Sequence, residues 1–277
     1  MNRSELGAAL RVLRNASGRE AKVVARSSVM SASKLSKIET GKLPPSADDV
    51  DRILTAIGVS DDVKAEYLDA ARAVATETTA WRLIQRAGLH KAQQRLRGVE
   101  ARMSLLRLFQ PALVPGLLQT PEYTRAILSR HDDLSEETVR RTVSARLERQ
   151  EALYDENKRF CFVITEPVLR WLIVPPMVMV GQLDRIVSVS RLPNIDVRVV
   201  PLAGRKHDIA NHAFVIRDDR AVSVETVHAE VVVTDPRDVA QYVTKFDGFA
   251  QAALEGAALR KLLVSIRDDL LQQRESG

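Results

Sequence analysis

One cysteine, Cys161, is all the thiol chemistry this 277-residue chain offers, which excludes an internal disulfide and every cysteine-built zinc module. Flanked by Phe160 and Phe162, it is expected to be buried. Aromatic residues make up only 4% of the chain, a composition that points to a helix-rich globular protein rather than an all-β one. No run approaches the ~18 uncharged apolar residues of a membrane span. The opening Met1-Asn2-Arg3-Ser4-Glu5 has no apolar segment that could act as a secretory signal, so a cytoplasmic protein without a membrane partner is expected. The G-x-S-x-G, P-loop and dinucleotide glycine patterns are missing as well, which leaves nucleotide-dependent chemistry without an anchor. His207-Asp208-x-x-x-His212 places two imidazoles and a carboxylate close together. They fall in an expected loop with no further ligand at a defined spacing, so they read as structural or solvated groups rather than a metal or acid–base site. No catalytic residue, metal or cofactor is therefore expected, and the chain does not read as an enzyme.

What is present is apolar residues at 45%, charged residues at 28% and a net charge of +5. The length favours two units, each able to bury its own core. The charge is unevenly placed. Residues 1–42 hold nine basic side chains against the three acids Glu5, Glu20 and Glu39, an excess of six, so the remainder of the chain sums to −1. A basic unit joined to a near-neutral one is the outline of a polyanion-binding module attached to a module with another task. A merely solvated basic face is the alternative on charge alone.

Within the basic unit, Leu6, Ala9, Leu10 and Leu13 recur at helical spacing after Ser4, a candidate N-cap, predicting a helix over residues 5–16. A short second helix is expected from Arg19 to Ser27, with Val24 and Ala25 inward and Val29-Met30 forming the turn. Ser31 can cap a third helix from Ala32 to Glu39, whose apolar positions are Ala32, Leu35 and Ile38. Pro44-Pro45 breaks the chain, and Ser46 with Asp49 has the spacing of a capping box ahead of a fourth helix carrying Val50, Ile53, Leu54 and Ile57. A fifth, capped by Ser60, uses Val63, Tyr67, Leu68 and Ala71. Five short helices with a tight turn between the second and third fit a helix-turn-helix domain over residues 1–76. On the third helix Leu35 and Ile38 face the core, while Ser33, Lys34, Ser36 and Lys37 point away, groups suited to base edges and phosphates.

The run Met30-Ser31-Ala32-Ser33-Lys34-Leu35-Ser36-Lys37-Ile38-Glu39-Thr40-Gly41-Lys42, followed by Pro44-Pro45-Ser46, resembles the recognition helix and exit of the xenobiotic-response-element class of lambda-repressor-like regulators. The resemblance implies that Ala32, Ser33 and Lys37 face bases with Lys34 beside them, that Ser31, Thr40 and Lys42 hold phosphates, and that Glu39 ties the helix end to the domain. The chain departs from that pattern at Arg19-Glu20-Ala21, where Ala21 lacks the side chain for a phosphate bond and Lys22 is the candidate substitute. It departs again at Val29, where a glycine is usual, and at Ala32, where a glutamine is common. A valine forced to positive φ would lose stability or alter the turn.

Residues 75–80 form a low-apolar patch taken as the domain junction, and Trp81 to Arg107 reads as a helical stretch with seven Arg or Lys against Glu100 alone. This basic linker helix, 77–107, is either a second phosphate-contacting surface, a dock for an acidic partner, or a solvated connector. Residues 108–277 are expected to form an α+β domain with a small mixed sheet. The β-type runs are Phe160 to Thr165, Ile195 to Val200, Ala213 to Arg217, Val222 to Thr226 and Glu230 to Thr234. The segment Phe109 to Tyr123 is expected to lead into a helix through Leu128, and further helices are expected near Ser135 to Tyr154, Met177 to Ser190, Pro236 to Ala253 and Ala257 to Leu271.

The segment Gln110-Pro111-x-x-Val114-Pro115-Gly116-Leu117-Leu118-Gln119-Thr120-x-x-Tyr123, with Arg146-Leu147-x-Arg149-Gln150-Glu151 and Pro193-Asn194-Ile195-x-Val197-x-Val199, is similar to the actinobacterial Scr1-type antitoxin-like domain that follows a helix-turn-helix in WhiJ-like regulators. That resemblance implies a regulator paired with a small acidic protein, the Gln110 to Tyr123 loop and the Trp81 to Arg107 helix being the surfaces considered for it. Together the two resemblances predict a transcription regulator, a repressor by expectation, that binds an inverted-repeat operator in double-stranded DNA as a homodimer on the nucleoid. An antitoxin-like protein that neutralises its small partner, or a repressor that senses a small molecule, are the alternatives.

Overall fold

The computed structural model describes residues 3–74, 76–80, 88–132, 134–204 and 208–275. The chain divides into two compact units, Met1–Thr78 with Val231–Val239, and Thr79–Glu230 with Ala240–Gly277.

The first unit is built on α1 (Arg3–Ala16), α2 (Ala21–Ser27), α3 (Ala32–Glu39), α4 (Ala47–Ile57) and α5 (Asp61–Val74). Their apolar stripes meet in one core of Leu6, Leu10, Val24, Leu35, Ile38, Val50, Ile53 and Leu54. Burial of each such side chain contributes roughly 1.5–3 kcal/mol. Helix α1 begins at Arg3, so Ser4 lies inside its first turn rather than capping it. The expected caps of α3 and α4 are present. Ser31 Oγ accepts from the Lys34 N–H, and Ser46 and Asp49 bond each other reciprocally. Gly7 sits where α1 crosses α3, and a Cβ there would lie 2.3 Å from the Ile38 carbonyl oxygen. Only a hydrogen fits, which is why two helices of ordinary bulk can approach so closely.

Residues 105–233 carry six strands in the order β7-β6-β5-β2-β3-β4, namely β2 (Leu105–Gln110), β3 (Arg159–Thr165), β4 (Ile195–Val200), β5 (Phe214–Arg217), β6 (Ala221–Glu225) and β7 (Ala229–Val233), the last falling across the division of the units. A further short strand, β1 (Thr76–Ala80), falls at the boundary of the units. Strands β2, β3 and β4 are parallel, while β5 pairs antiparallel with β2 and β6, so the sheet is mixed as expected. The helices are α6 (Leu89–Glu100), α7 (Pro121–Leu128), α8 (Glu136–Gln150), the short α9 (Pro167–Arg170), α10 (Pro176–Val189), α11 (Pro236–Gln251) and α12 (Gly256–Glu275). Alternation along β3 sends Phe160, Phe162 and Ile164 into a core with Met179, Leu183 and Ile186 of α10 and Leu263 and Ile266 of α12. Toward the other face, Phe109 stacks on Phe249 with centroids 4.1 Å apart.

Three expectations about residues 81–123 are corrected. First, the helix predicted over residues 81–107 is found only over Leu89–Glu100. Residues 81–87 lie outside the described residues, and Leu105 to Arg107 open strand β2 at the centre of the sheet. Leu105, Leu106, Leu108 and Phe109 form a nearly continuous apolar run, which suits a strand covered on both faces. Second, the two arginines of α6, considered for phosphates or an acidic partner, are not free cations but half-exposed members of ion pairs within the unit. Arg97 pairs with Glu148 and Glu151, and Arg95 with Glu230. Third, the Gln110 to Tyr123 segment is a strap tied into the core rather than a docking loop. Val114, Leu117, Leu118 and Tyr123 are buried, and Gln119, Gln150 and Gln182 hydrogen-bond its backbone. Cys161 is half-buried, and burial pushes its thiol up from the ordinary range.

Candidate nucleic-acid interface

Helix α3 is fixed from behind by three buried side chains, Leu35, Ile38 and Glu39. Glu39 would be costly there without a partner. It has one, because Arg14 of α1 forms a bidentate pair with it, Nε to Oε1 at 2.6 Å and Nη2 to Oε2 at 3.0 Å. The pair leaves 11% of the arginine and 7% of the glutamate side chain exposed, so solvent screens it little. The hydrogen bond to Glu39, reinforced by its charge, holds the guanidinium proton more tightly than usual in spite of desolvation. The structural role implied for Glu39 is thus given a partner, Arg14, which the sequence pattern did not identify.

On the outward side Ala32, Ser33, Ser36 and Lys37 are exposed, and Ser31, Thr40 and Lys42 flank them at either end, also exposed. Lys22 is exposed at the second residue of α2. The Ser31 hydroxyl accepts one backbone bond and keeps its own proton for another acceptor. Thr40 differs, because its hydroxyl donates to the Ser36 carbonyl at 2.7 Å and can offer a phosphate only its backbone neighbours or a rearranged rotamer. Lys34 is half-buried, and its ammonium lies 2.6 Å from Asp49 Oδ1. Its charge is thus directed to the first turn of α4 in the isolated protein.

The turn that leads into α3 holds Val29 at φ +54, the conformation that a glycine adopts without strain. The side chain is 80% exposed, and the turn is closed by Val29 N–H to the Arg26 carbonyl at 3.2 Å and Met30 N–H to the Ala25 carbonyl at 2.9 Å. The expected conflict between valine and the turn is therefore met by strain at that residue, with the turn itself kept.

The histidine segment supplies no comparable arrangement. His207 lies outside the described residues. Asp208 pairs with Lys245 at 2.7 Å, and His212 Nδ1 lies 3.1 Å from the Ala213 carbonyl oxygen while its ring packs near Phe214 and Tyr242. Among the described residues there is no group of three His, Cys, Asp or Glu side chains placed to hold a metal ion, and no helix long and apolar enough to cross a membrane.

Helices, turn and outward face together define a helix-turn-helix domain of the DNA-binding kind, and residues 5–67 match the family model described as a helix-turn-helix domain. The chain belongs to the family described as a domain of unknown function (DUF5753), whose model matches residues 93–265. No curated protein matches it. Among solved structures, the chain is similar to TrmBL2, an archaeal chromatin protein described as showing a novel mode of DNA binding. Identity is 12%, covering 74% of this chain and 66% of that one, with a TM-score of 0.35. It is also similar to NucT from Helicobacter pylori, at 12% identity over 65% of this chain and 98% of that one with a TM-score of 0.37. A third likeness is to Nuc, a phospholipase D family member from Salmonella typhimurium, at 11% identity over 65% and 97% with a TM-score of 0.35. Likenesses of this depth carry no argument about function.

Proposed function

We propose that this protein is a sequence-specific transcription repressor that binds an inverted-repeat operator as a homodimer, and that its second unit receives a signal from a small acidic protein. The observation that carries the DNA-binding part is the division of α3. Leu35, Ile38 and the Arg14-held Glu39 anchor it, while Ser33, Ser36 and Lys37 are left outward in a unit with a surplus of six positive charges over its first 42 residues. Small hydroxyls and a lysine on an exposed helix fit the donor and acceptor pattern of a major groove. In a dimer the two α3 helices would enter successive grooves about 34 Å apart. No catalytic role belongs to this reading, and the site of action is the cytoplasm.

The test is a binding titration. Operator fragments recovered by genome-wide footprinting are labelled and titrated with the full chain at rising salt. Log affinity should fall with log salt by about 0.9 per neutralised phosphate, and the footprints should share an inverted repeat. A flat salt response, or footprints without a repeated half-site, would refute the reading. Purification of the native protein followed by mass spectrometry tests for the acidic partner, and promoter fusions in a deletion strain distinguish repression from activation.

A further inference from the structure

Inside the second unit a cavity of about 410 Å³ opens between α6, α8 and strands β5 and β6. Its charged residues fall into two classes. Arg149 is fully engaged, with Nε and Nη2 on Glu100 at 2.7 and 2.8 Å and Nη1 on Gln93 Oε1 at 2.9 Å. Glu230 is paired with Arg95 at 2.5 Å. Arg146 and Arg217 are not matched in this way. Arg146 donates from Nη1 to Gln119 Oε1 at 2.6 Å and Arg217 from Nη1 to Ser223 Oγ at 2.8 Å, both neutral acceptors. The Nε of each is buried with no hydrogen-bond partner in the protein.

Two buried N–H donors without acceptors are an exception in a folded protein, and they mark both arginines as incompletely satisfied by the protein itself. The electrostatics agree. Burial, and then the like charge of Arg149, pull Arg146 down to about 10 in spite of Glu225, and burial lowers Arg217 as well. Arginine keeps its proton in proteins, so both groups are cations held in a setting that disfavours their charge. Glu225 also lines the cavity, exposed as a residue but with its carboxyl held above the ordinary carboxylate range by the desolvating surroundings and by Glu230. Neither arginine is within ion-pair reach of it among the described residues. The remaining wall is apolar. Leu89, Leu96, Leu113 and Ile127 line it and are only partly buried. The size is within the range of small-molecule sites, which run from roughly 300 to 1,000 Å³.

We infer that this cavity binds a small amphipathic carboxylate, its anionic end drawn to the guanidinium groups of Arg146 and Arg217 that line it and its apolar body against Leu96, Leu113 and Ile127. Two guanidinium groups that meet only neutral acceptors, with Glu225 near but not paired to either, leave a surplus of positive charge that favours an anion. The apolar wall favours a carbon skeleton over an inorganic ion. A bound carboxylate would offset the charge that burial penalises on the two arginines. The inference does not rest on the DNA-binding reading, because its test contains no DNA.

Thermal unfolding and isothermal titration of the full chain with octanoate, 1-octanol and inorganic phosphate test it. Octanoate should raise the melting temperature and give a measurable Kd, while octanol and phosphate at the same concentrations should have much smaller effects. Arg146→Gln and Arg217→Gln should each weaken octanoate roughly tenfold or more, the weight of one charge-assisted hydrogen bond. Arg140→Gln, which alters an exposed arginine of the same helix paired with Glu137, should bind as the parent does. The unliganded melting temperatures of the Arg146 and Arg217 variants establish that they fold. No octanoate response, an equal response to octanol, a preference for phosphate, or unchanged binding in folded variants of both arginines would each overturn the inference.

Discussion

The ammonium of Lys34 on α3 rests 2.6 Å from Asp49 Oδ1 on the next helix, while the other oxygen of the same carboxylate accepts the Ser46 N–H. One aspartate thus closes the capping box of α4 and holds a cation that would otherwise be available to a phosphate. The lysine side chain is 41% exposed, so the pair contributes little stability, roughly 0–1 kcal/mol.

Asp49→Asn should separate these two roles, since asparagine can still accept the Ser46 N–H but attracts Lys34 weakly. Operator affinity should rise at low salt, and the salt slope should steepen by about one phosphate equivalent, roughly 0.9 in log–log terms. Anisotropy titrations at several salt concentrations measure both. An unchanged slope would mean that Lys34 stays off the backbone in the complex.

Lys37→Ala separates base reading from backbone contact. If Lys37 reads a guanine, the substitution lowers operator affinity by roughly 1–3 kcal/mol and relaxes preference at that base pair. An equal loss on every sequence would instead assign it to a phosphate. A selection from randomised operators with parent and variant gives the answer.

Arg14→Met should destabilise the first unit by about 3–5 kcal/mol, because it leaves Glu39 buried without its cation. Arg14→Met with Glu39→Leu should recover much of that loss, since an apolar pair of similar volume removes the stranded charge. Urea denaturation of the two variants is the measurement, and a single substitution as mild as the double one would show that the pair is not buried in solution.

Val29→Gly should stabilise the protein by about 0.5–1 kcal/mol. The strain of a β-branched residue at positive φ, about 1–2 kcal/mol, is relieved, and part of that gain is lost to the greater freedom of glycine in the unfolded chain. The residue is 80% exposed, so almost no packing is removed. A lowered melting temperature would show that the valine contributes a contact that outweighs its backbone.

Much of the first unit was legible from residue spacing. Leu35 and Ile38 on α3, the capping box of Ser46 and Asp49 and the awkwardness of Val29 all act locally, within a few residues of one another. The partners were not legible. Arg14 and Glu39 are 25 positions apart, and nothing in either segment says that α1 will lay its arginine under the end of α3. Lys34 looked like an outward cation for the same reason, since Asp49 reaches it only once α4 has packed. In the second unit, strand β2 was hidden because its apolar run comes directly after a basic helical stretch and is interrupted by Arg107, while both its neighbours, β3 and β5, come later in the sequence. The cavity of Arg146 and Arg217 was out of reach altogether. Arg146 stood in a segment noted for its arginines, but only the fold shows that Arg149 is matched and Arg146 is not.

The close passage of α1 over α3 at Gly7 bears on how a duplex would be met. With a carbonyl oxygen 2.3 Å from where a Cβ on Gly7 would sit, α1 backs α3 at backbone contact, so under the proposed role α3 would have little room to move toward α1 when base pairs are presented at an unfavourable angle. Adjustment to imperfect operators would then fall on the DNA, whose grooves bend and twist at a cost that depends on sequence, so base pairs that no side chain touches would still influence which operators are occupied.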